Sequence, residues 1–556
     1  MNRLRWLSAS ALALAAAPLA AQPNPFSTQR LSEVDKVLSS DAFQGRGTAA
    51  PIEPTVIDYI AKQLAAAGVE PGGDVVNGQR SWFQNVPLLE SQIVGTPQIS
   101  LNENGTVVPL QQGPEIAVLA PLNGARQVDI VNAPLVFAGY GVDAPERGWN
   151  DFKGQDMHGK VLVVLVNDPD FEASANEPVM GKFGGKAMTY YGRWTYKYEE
   201  AARQGAAAAI IVHETVPAAY GWQVVRNSNS GNKLWLTARD RNVSMVPIQG
   251  WITLDTAQDL FKRAGLDYMA LKAAANKPGF KAVDMAGETL DVHAHSSFRL
   301  LNTRNIVGIV PGYKHPDQYV LYTAHWDHLG VKPDVAGPDK IYNGAIDNGM
   351  GVSSILEIGE AFAHGKRPQR TVAIIDWTLE EQGLLGSQYF AEHPLWPLNR
   401  IVGGVNLDGG LPHGHARDLV LVGSGASEME DILADVLKTQ NRVISPDPEP
   451  EKGGFYRSDH ISLSRVGVPM LDPAGASDLV VGGTAAAKAI RDDYREHHYH
   501  QPSDEFNPDW DITGVIDDLE ALYTLGDTLA NSERWPNWYK DNEFRAVRDK
   551  SMAGRK

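Results

Sequence analysis

The feature that most constrains this chain is the order of its apolar runs from Asn305 onward. The run from Tyr319 to Ala324 reads as a strand, and Val352 to Ala363 as a helix. Thr371 to Trp377 is again strand-like, Leu384 to Ala391 helical, and Ile401 to Leu407 strand-like. A helix from Ile512 to Leu529 closes the series. Strands separated by helices are joined by crossovers, and crossovers leave successive strands parallel. The expected fold class is therefore α/β: a doubly wound, mostly parallel sheet with helices on both faces. Ligands of such sheets bind beyond the carboxyl ends of the strands.

The chemically active residues fall where that rule puts a site. His325 and Asp327 follow the run VLYTA, Glu380 and Glu381 follow TVAIIDWTL, and Asp408 follows IVGGVNL. Asp347 sits in the glycine-rich turn NGAIDNGMG, and His500 in the loop HHYHQPSDEF. Singly, each has an ordinary structural explanation: an Asp after a strand caps a turn or helix, and a Glu pair before a helix complements its dipole. Several at strand ends of one sheet converge on one crevice, and that convergence predicts an active site. Carboxylates and imidazoles without thiols suit a hydrolytic site for zinc or a similar divalent ion. His325-Trp326-Asp327 offers a ligand with a carboxylate able to orient its second ring nitrogen. Two histidines and three carboxylates suffice for two metals bridged by one carboxylate.

The 556 residues are too many for one ordinary domain. With 43% hydrophobic and 21% charged residues the composition is that of a globular protein. A net charge of −17 leaves no basic surplus to neutralise phosphates, which excludes a nucleic-acid partner. The chain has no cysteine, so a disulfide framework and a lipid-modified cysteine are both excluded. Arg3 and Arg5, the apolar run from Leu7 to Ala17 and the small residues Ala20 and Ala21 read as a signal peptide over 1–21. That run is shorter than the ~20 residues a bilayer span needs. The expected product is exported, periplasmic or secreted, with no stable insertion in the membrane. From 129 to 262 the texture changes: short apolar runs such as GKVLVVLV alternate with turn-rich stretches, and Tyr196 to Gln204 reads as a helix before a strand at Ala208 to Val212. This segment is expected to be an inserted α+β module, leaving 27–128 and 263–535 as two parts of one catalytic domain and 536–556 as a tail.

Five of these motifs, in order, resemble the dinuclear zinc peptidase family that includes bacterial leucyl aminopeptidases, glutamate carboxypeptidase II and, as a variant, glutaminyl cyclase. The resemblance runs from about Leu31 to Asn531. It implies two zinc ions per chain. AHWDHLG is similar to the family's H-x-D motif, which makes His325 a ligand of one zinc and Asp327 its orienting carboxylate. By the same resemblance Asp347 is the bridging carboxylate, Glu380 the general base, Glu381 a ligand, Asp408 a ligand of the second zinc, and His500 the last ligand. RSDHISLSRVGVPML also looks familial and implies a pocket near Ser458, Asp459 and His460. Phe455 or Tyr456 would border the substrate, with Tyr456 as a candidate for stabilising the oxyanion. The chain departs from the family after Asp347-Asn348, reading Gly349-Met350-Gly351 where small residues and Ser-Gly are usual. The stretches VFAGYGV, NDFKGQDMHGKVLVVL and YEEAARQGAAAAIIV resemble the protease-associated domain inserted in many such peptidases.

The resemblance implies an aminopeptidase acting on peptides or small proteins. Three alternatives stay open. A carboxypeptidase of the glutamate carboxypeptidase type needs arginines to grasp a substrate carboxylate, and Arg457 is the candidate beside a pocket motif. A glutaminyl cyclase would use one zinc, which the full two-metal set disfavours. A non-enzymatic binding protein would be expected to have lost ligands, and none is missing.

Overall fold

A computed structural model of the chain describes residues 25–103, 105–229, 232–237, 245–333 and 337–555. The signal-peptide segment 1–21 lies outside the described residues. Among the described residues no helix is long and apolar enough to cross a membrane.

The main sheet is parallel at its centre. The strand His315–His325 runs parallel to Arg370–Trp377 on one side and to Ile401–Asn406 on the other, and Met470–Pro473 continues the parallel set. Antiparallel neighbours flank it: the last residues of the long strand Val283–Val310 pair with Arg370–Trp377, and Asp418–Val422 pairs with Met470–Pro473. Strand residues alternate between two cores, as the two-residue repeat requires. Val320, Tyr322 and Ala324, with Val372 and Ile374, pack against helices Met350–His364 and Thr513–Ala530. Leu321, Ala373, Ile375 and Trp377 face the other way, onto Phe390 of helix Leu385–Glu392 and Leu463 of helix His460–Arg465. Both faces are thus covered, which is why these strands read as continuous apolar runs rather than alternating ones.

A second sheet is built around the parallel strands Gln127–Phe137, Val161–Leu165, Ala208–His213 and Ile248–Thr253. Its core is wider than the segment 129–262. Buried residues from Ile99 to Ala294 share one cluster, because Gln98–Glu103 and the first half of Val283–Val310 pair with each other at its edge. The 28-residue strand Val283–Val310 then crosses into the main sheet, where Ser296 to Ile306 pair with Phe83–Ile93. In return, the short strand Lys233–Leu236 leaves the second sheet and pairs with Phe83–Ile93. There Leu236 packs with Val86, Leu88, Leu379 and Leu385.

Candidate metal centre

The loops after three parallel strands and one glycine-rich turn bring the site together. His325 ends its strand; Glu380 and Glu381 follow Arg370–Trp377 by three and four residues; Asp408 follows Ile401–Asn406 by two. The turn Ala345–Gly349 carries Asp347. His500, at φ 57, reaches in from the far end of the chain.

Asp347 is the hub. Its Oδ1 lies 3.3 Å from His325 Nε2, and that nitrogen is 3.2 Å from Asp408 Oδ1. Its other oxygen, Oδ2, lies 3.2 Å from His500 Nε2, which is in turn 3.2 Å from Glu381 Oε2. One carboxylate therefore faces two groups of ligand-type atoms, one on each oxygen. This arrangement sets His325 and Asp408 side by side, so the expectation that they serve different metals is corrected: both lie on the Oδ1 side of Asp347.

A second correction concerns Asp327. Its carboxylate Oδ1 is 3.9 Å from His325 Nδ1, too far for a hydrogen bond, whereas its main-chain carbonyl lies 3.0 Å from that nitrogen. The carbonyl orients the imidazole. The carboxylate instead accepts the Glu380 N–H at 3.1 Å and so fixes the corner that carries the Glu pair. That corner is tightly turned. Leu379 and Leu384, at φ 59 and 64, bracket it in the left-handed region that bulky side chains avoid, and the Glu380 carbonyl accepts the N–H groups of Gly383 and Leu384. Leu379 is held by the apolar cluster that includes Leu236.

Ser458, Asp459 and His460 of the RSDH stretch are buried and held by other side chains. Asp459 and His460 are fully buried; Asp459 accepts the Ser387 hydroxyl, and His460 packs against Phe455. Ser458 accepts the Asn406 amide. Tyr456 is also engaged elsewhere: its hydroxyl donates to Glu543 at 2.6 Å, so it is not free to stabilise an oxyanion. Tyr499 is better placed for that. Its ring stacks on His500 with centroids 3.9 Å apart, and Glu380, Glu381, Asp347 and Arg457 are among the charges that act on its phenol.

Three further residues escaped the sequence reading. Arg46 is buried and donates to five carbonyl oxygens, those of Trp326, Leu38, Asn343, Gly344 and Asp347. Asp504 accepts the N–H groups of Ile346 and Asp347, one on each oxygen. His328, the second histidine of AHWDHLG, is buried with its Nδ1 at 2.6 Å from Glu381 Oε1. Only His328 and Asp504 lay inside stretches already singled out. The unusual Gly349 and Gly351 also gain a reason: a Cβ on the first would collide with the buried Asp35 carboxylate, and one on the second with the Asn348 side chain and the Leu407 carbonyl.

The electrostatics are those of a cation site. Burial disfavours a charged His325, yet Asp408, Asp347 and Glu380 outweigh it and raise the imidazole well above its ordinary range. Burial alone would raise Asp347, but the bonds from His325 and His500 hold it well below the usual carboxylate range. Burial pushes Glu380 well up, with Asp408, Glu381 and Asp459 adding to the effect against His325. Burial also lifts Asp327 to about 7. Asp347, Glu380, Glu381 and Asp408 together outnumber the histidines, and Glu381 Oε1, Asp327 Oδ2 and both His328 nitrogens are buried without an aligned hydrogen-bond partner. Unpaired buried polar atoms cost free energy that divalent cations would recover. Two sets of ligand atoms cluster tightly enough to hold an ion: His325, Asp347 and Asp408, and His328, Asp347 and Glu381. The residues therefore fit zinc, with its preference for imidazole and carboxylate.

Known proteins resemble parts of the chain. Aminopeptidase NAALADL1 of Mus musculus is 33% identical over 139 residues, covering 24% of this chain and 17% of the relative. A glutamate carboxypeptidase 2 homolog of Caenorhabditis briggsae is 31% identical over 137 residues, covering 24% and 16%. A probable zinc metalloprotease of Pyrenophora tritici-repentis is 38% identical over 93 residues, covering 16% and 20%. The matches thus span no more than about a fifth of each of these relatives. The model of peptidase family M28 matches residues 305–524, the stretch that holds His325, Asp347, Glu380, Glu381, Asp408 and His500. Over that stretch the chain is similar to peptidase family M28.

Proposed function

We propose that the chain is a zinc-dependent metallopeptidase of the aminopeptidase type that holds two zinc ions. The observation carrying this reading is Asp347, whose two oxygens face separate ligand sets, His325 with Asp408 and Glu381 with His500. Bound there, zinc would polarise a scissile carbonyl and acidify water. Glu380, free of metal-facing contacts and with a raised carboxyl, accepts the proton of the attacking water and returns it to the leaving amine. Tyr499 stands on the His500 side, where its phenol is placed to stabilise the negative charge that develops on the carbonyl oxygen. The second sheet is read as an inserted module of the protease-associated kind, and the chain as an exported protein whose leader is removed.

The test separates catalysis from metal binding. Glu380→Gln should lower kcat by ~10²–10⁴-fold while zinc content stays near that of the parent. Glu381→Gln should lose zinc and regain part of its activity when zinc is added. The opposite pattern would reverse the roles, and a fully active enzyme with one zinc would remove the bridging role of Asp347.

One observation favours a second reading, a carboxypeptidase. Arg193, from the second sheet's module, and Arg457 form no ion pair among the described residues, and both lie within electrostatic reach of the site: Arg457 and Glu380 act on Arg193, and Arg457 on Tyr499 and His500. Such a pair suits a substrate carboxylate. Aminoacyl and N-blocked chromogenic substrates decide between the two: cleavage of N-blocked peptides only when their terminal carboxylate is free would favour the second.

A further inference from the structure

The imidazole of His328 has no role in the reading above, although it is among the most enclosed groups of the site. Its side chain has no exposure, and neither ring nitrogen has an aligned hydrogen-bond partner. Nδ1 nevertheless lies 2.6 Å from Glu381 Oε1, itself without an aligned partner, and 4.0 Å from Asp347 Oδ2. Two buried polar atoms this close, with the ring not aimed along the line joining them, are placed to meet at a third point rather than to bond each other.

The distances suit a shared ion. With zinc bonds of ~2.0–2.1 Å, two ligand atoms on one ion lie at most ~4.2 Å apart. Atoms 4.0 Å apart can therefore still reach one ion at a wide angle, and atoms 2.6 Å apart can do so at an acute one. The ring is also fixed in place. Gly344 packs against it, so that a Cβ on Gly344 would strike the imidazole, and the His328 N–H donates to the Arg46 carbonyl at 3.2 Å. Its position is therefore set by the same buried segment that holds the Asp347 turn.

We propose that His328, through Nδ1, is a further protein ligand of the metal ion held by Asp347, Glu381 and His500, so that three histidines rather than two serve the pair of ions. The inference rests on the two-ion reading above. A metal ligand set enlarged on one side makes the two halves unequal. The His325–Asp408 half keeps one imidazole, and the Glu381 half has two.

Cobalt substitution tests this without relying on activity. Coordinated imidazoles of a cobalt-loaded protein give strongly shifted, exchangeable N–H proton resonances that can be counted. Three are expected in the parent protein and two in His328→Asn, with the parent's ions bound at the same stoichiometry. Chelator competition on the zinc forms should show one of the two ions weakened in His328→Asn by more than the ~10–100-fold that loss of an outer hydrogen-bond partner of a ligand costs, and the other unchanged. His328→Leu, close to histidine in size, should behave likewise. Two shifted resonances in the parent, or unchanged competition for both ions in either folded variant, would overturn the proposal. If the parent itself binds a single ion, it is the two-ion reading that fails, and the count of resonances still reports whether His328 touches that ion.

Discussion

Arg46 is the residue whose removal should do most harm at least apparent cost to the chemistry, since it touches no ligand side chain. A guanidinium has five N–H donors, and here five carbonyl oxygens accept from it at 2.6 to 3.2 Å. Burial pulls its pKa down, while Asp35, Asp347, Asp504 and Asp327 favour its charge. In Arg46→Met the five carbonyls lose their donor. At ~1 kcal/mol for each bond lost the cost is about 5 kcal/mol, comparable with the whole stability of a typical domain. Arg46→Lys is the informative variant. An ammonium has three donors, so at least two carbonyls go unserved, for a loss of about 2 kcal/mol. At ~2–4 °C per kcal/mol for a domain of roughly 150–250 residues, the chelator-treated protein should melt about 4–8 °C lower. Two of the five carbonyls, those of Gly344 and Asp347, cap or belong to the turn that presents the Asp347 carboxylate. Zinc affinity should therefore fall by ~10-fold or more, read by competition with a chromophoric chelator. An Arg46→Lys protein with the parent's melting temperature and the parent's competition curve would refute the reasoning.

The parallel core was legible because its strands are buried on both faces. Runs such as VLYTA and TVAIID, spaced by helix-period segments, admit few other arrangements. The ligand-type residues were legible because strand ends converge. Placement within the site was not. Whether His325 Nδ1 meets the Asp327 carboxylate or its carbonyl depends on a turn geometry that residue order does not fix, and the carbonyl receives it. Asp459 and His460 read as pocket residues because they stand beside the motifs, yet both are enclosed by helix Leu385–Glu392 and the Phe455 loop. Arg46 and Asp35 left no local signal at all, since each acts on the Asp347 turn across some three hundred residues of chain. The edges of the second sheet were hidden for a related reason. One 28-residue strand belongs to both sheets, so no change of composition marks where one unit stops.

Other perturbations test the supports of the site. Leu236→Ala removes a side chain packed on Leu379, directly before Glu380, and should lower kcat by up to ~10²-fold with zinc content unchanged, since misplacement by an ångström can cost that much; an unaltered kcat would disconnect the strand Lys233–Leu236 from the Glu corner. Burial lowers the His460 imidazolium to about 4 from an ordinary 6.5. As pH falls from 6.5 to 4, the unfolded chain takes up a proton that the native one refuses, so stability drops through this window. In His460→Gln the fall in melting temperature between these pH values should be shallower, and an equal slope would assign the acid lability to other groups. Asp504→Asn probes the turn itself. The carboxylate serves two N–H groups with two oxygens, whereas an amide has one oxygen and turns an NH2 group toward the other N–H. One turn donor then loses its acceptor and meets a second donor, and that donor is either the Ile346 or the Asp347 N–H. The change is nearly isosteric, so the fold should survive while the Asp347 carboxylate loses its fixed direction. Zinc affinity should fall by ~10–100-fold in a protein with the parent's circular dichroism, and an unchanged affinity would show that the turn holds its ligand without Asp504.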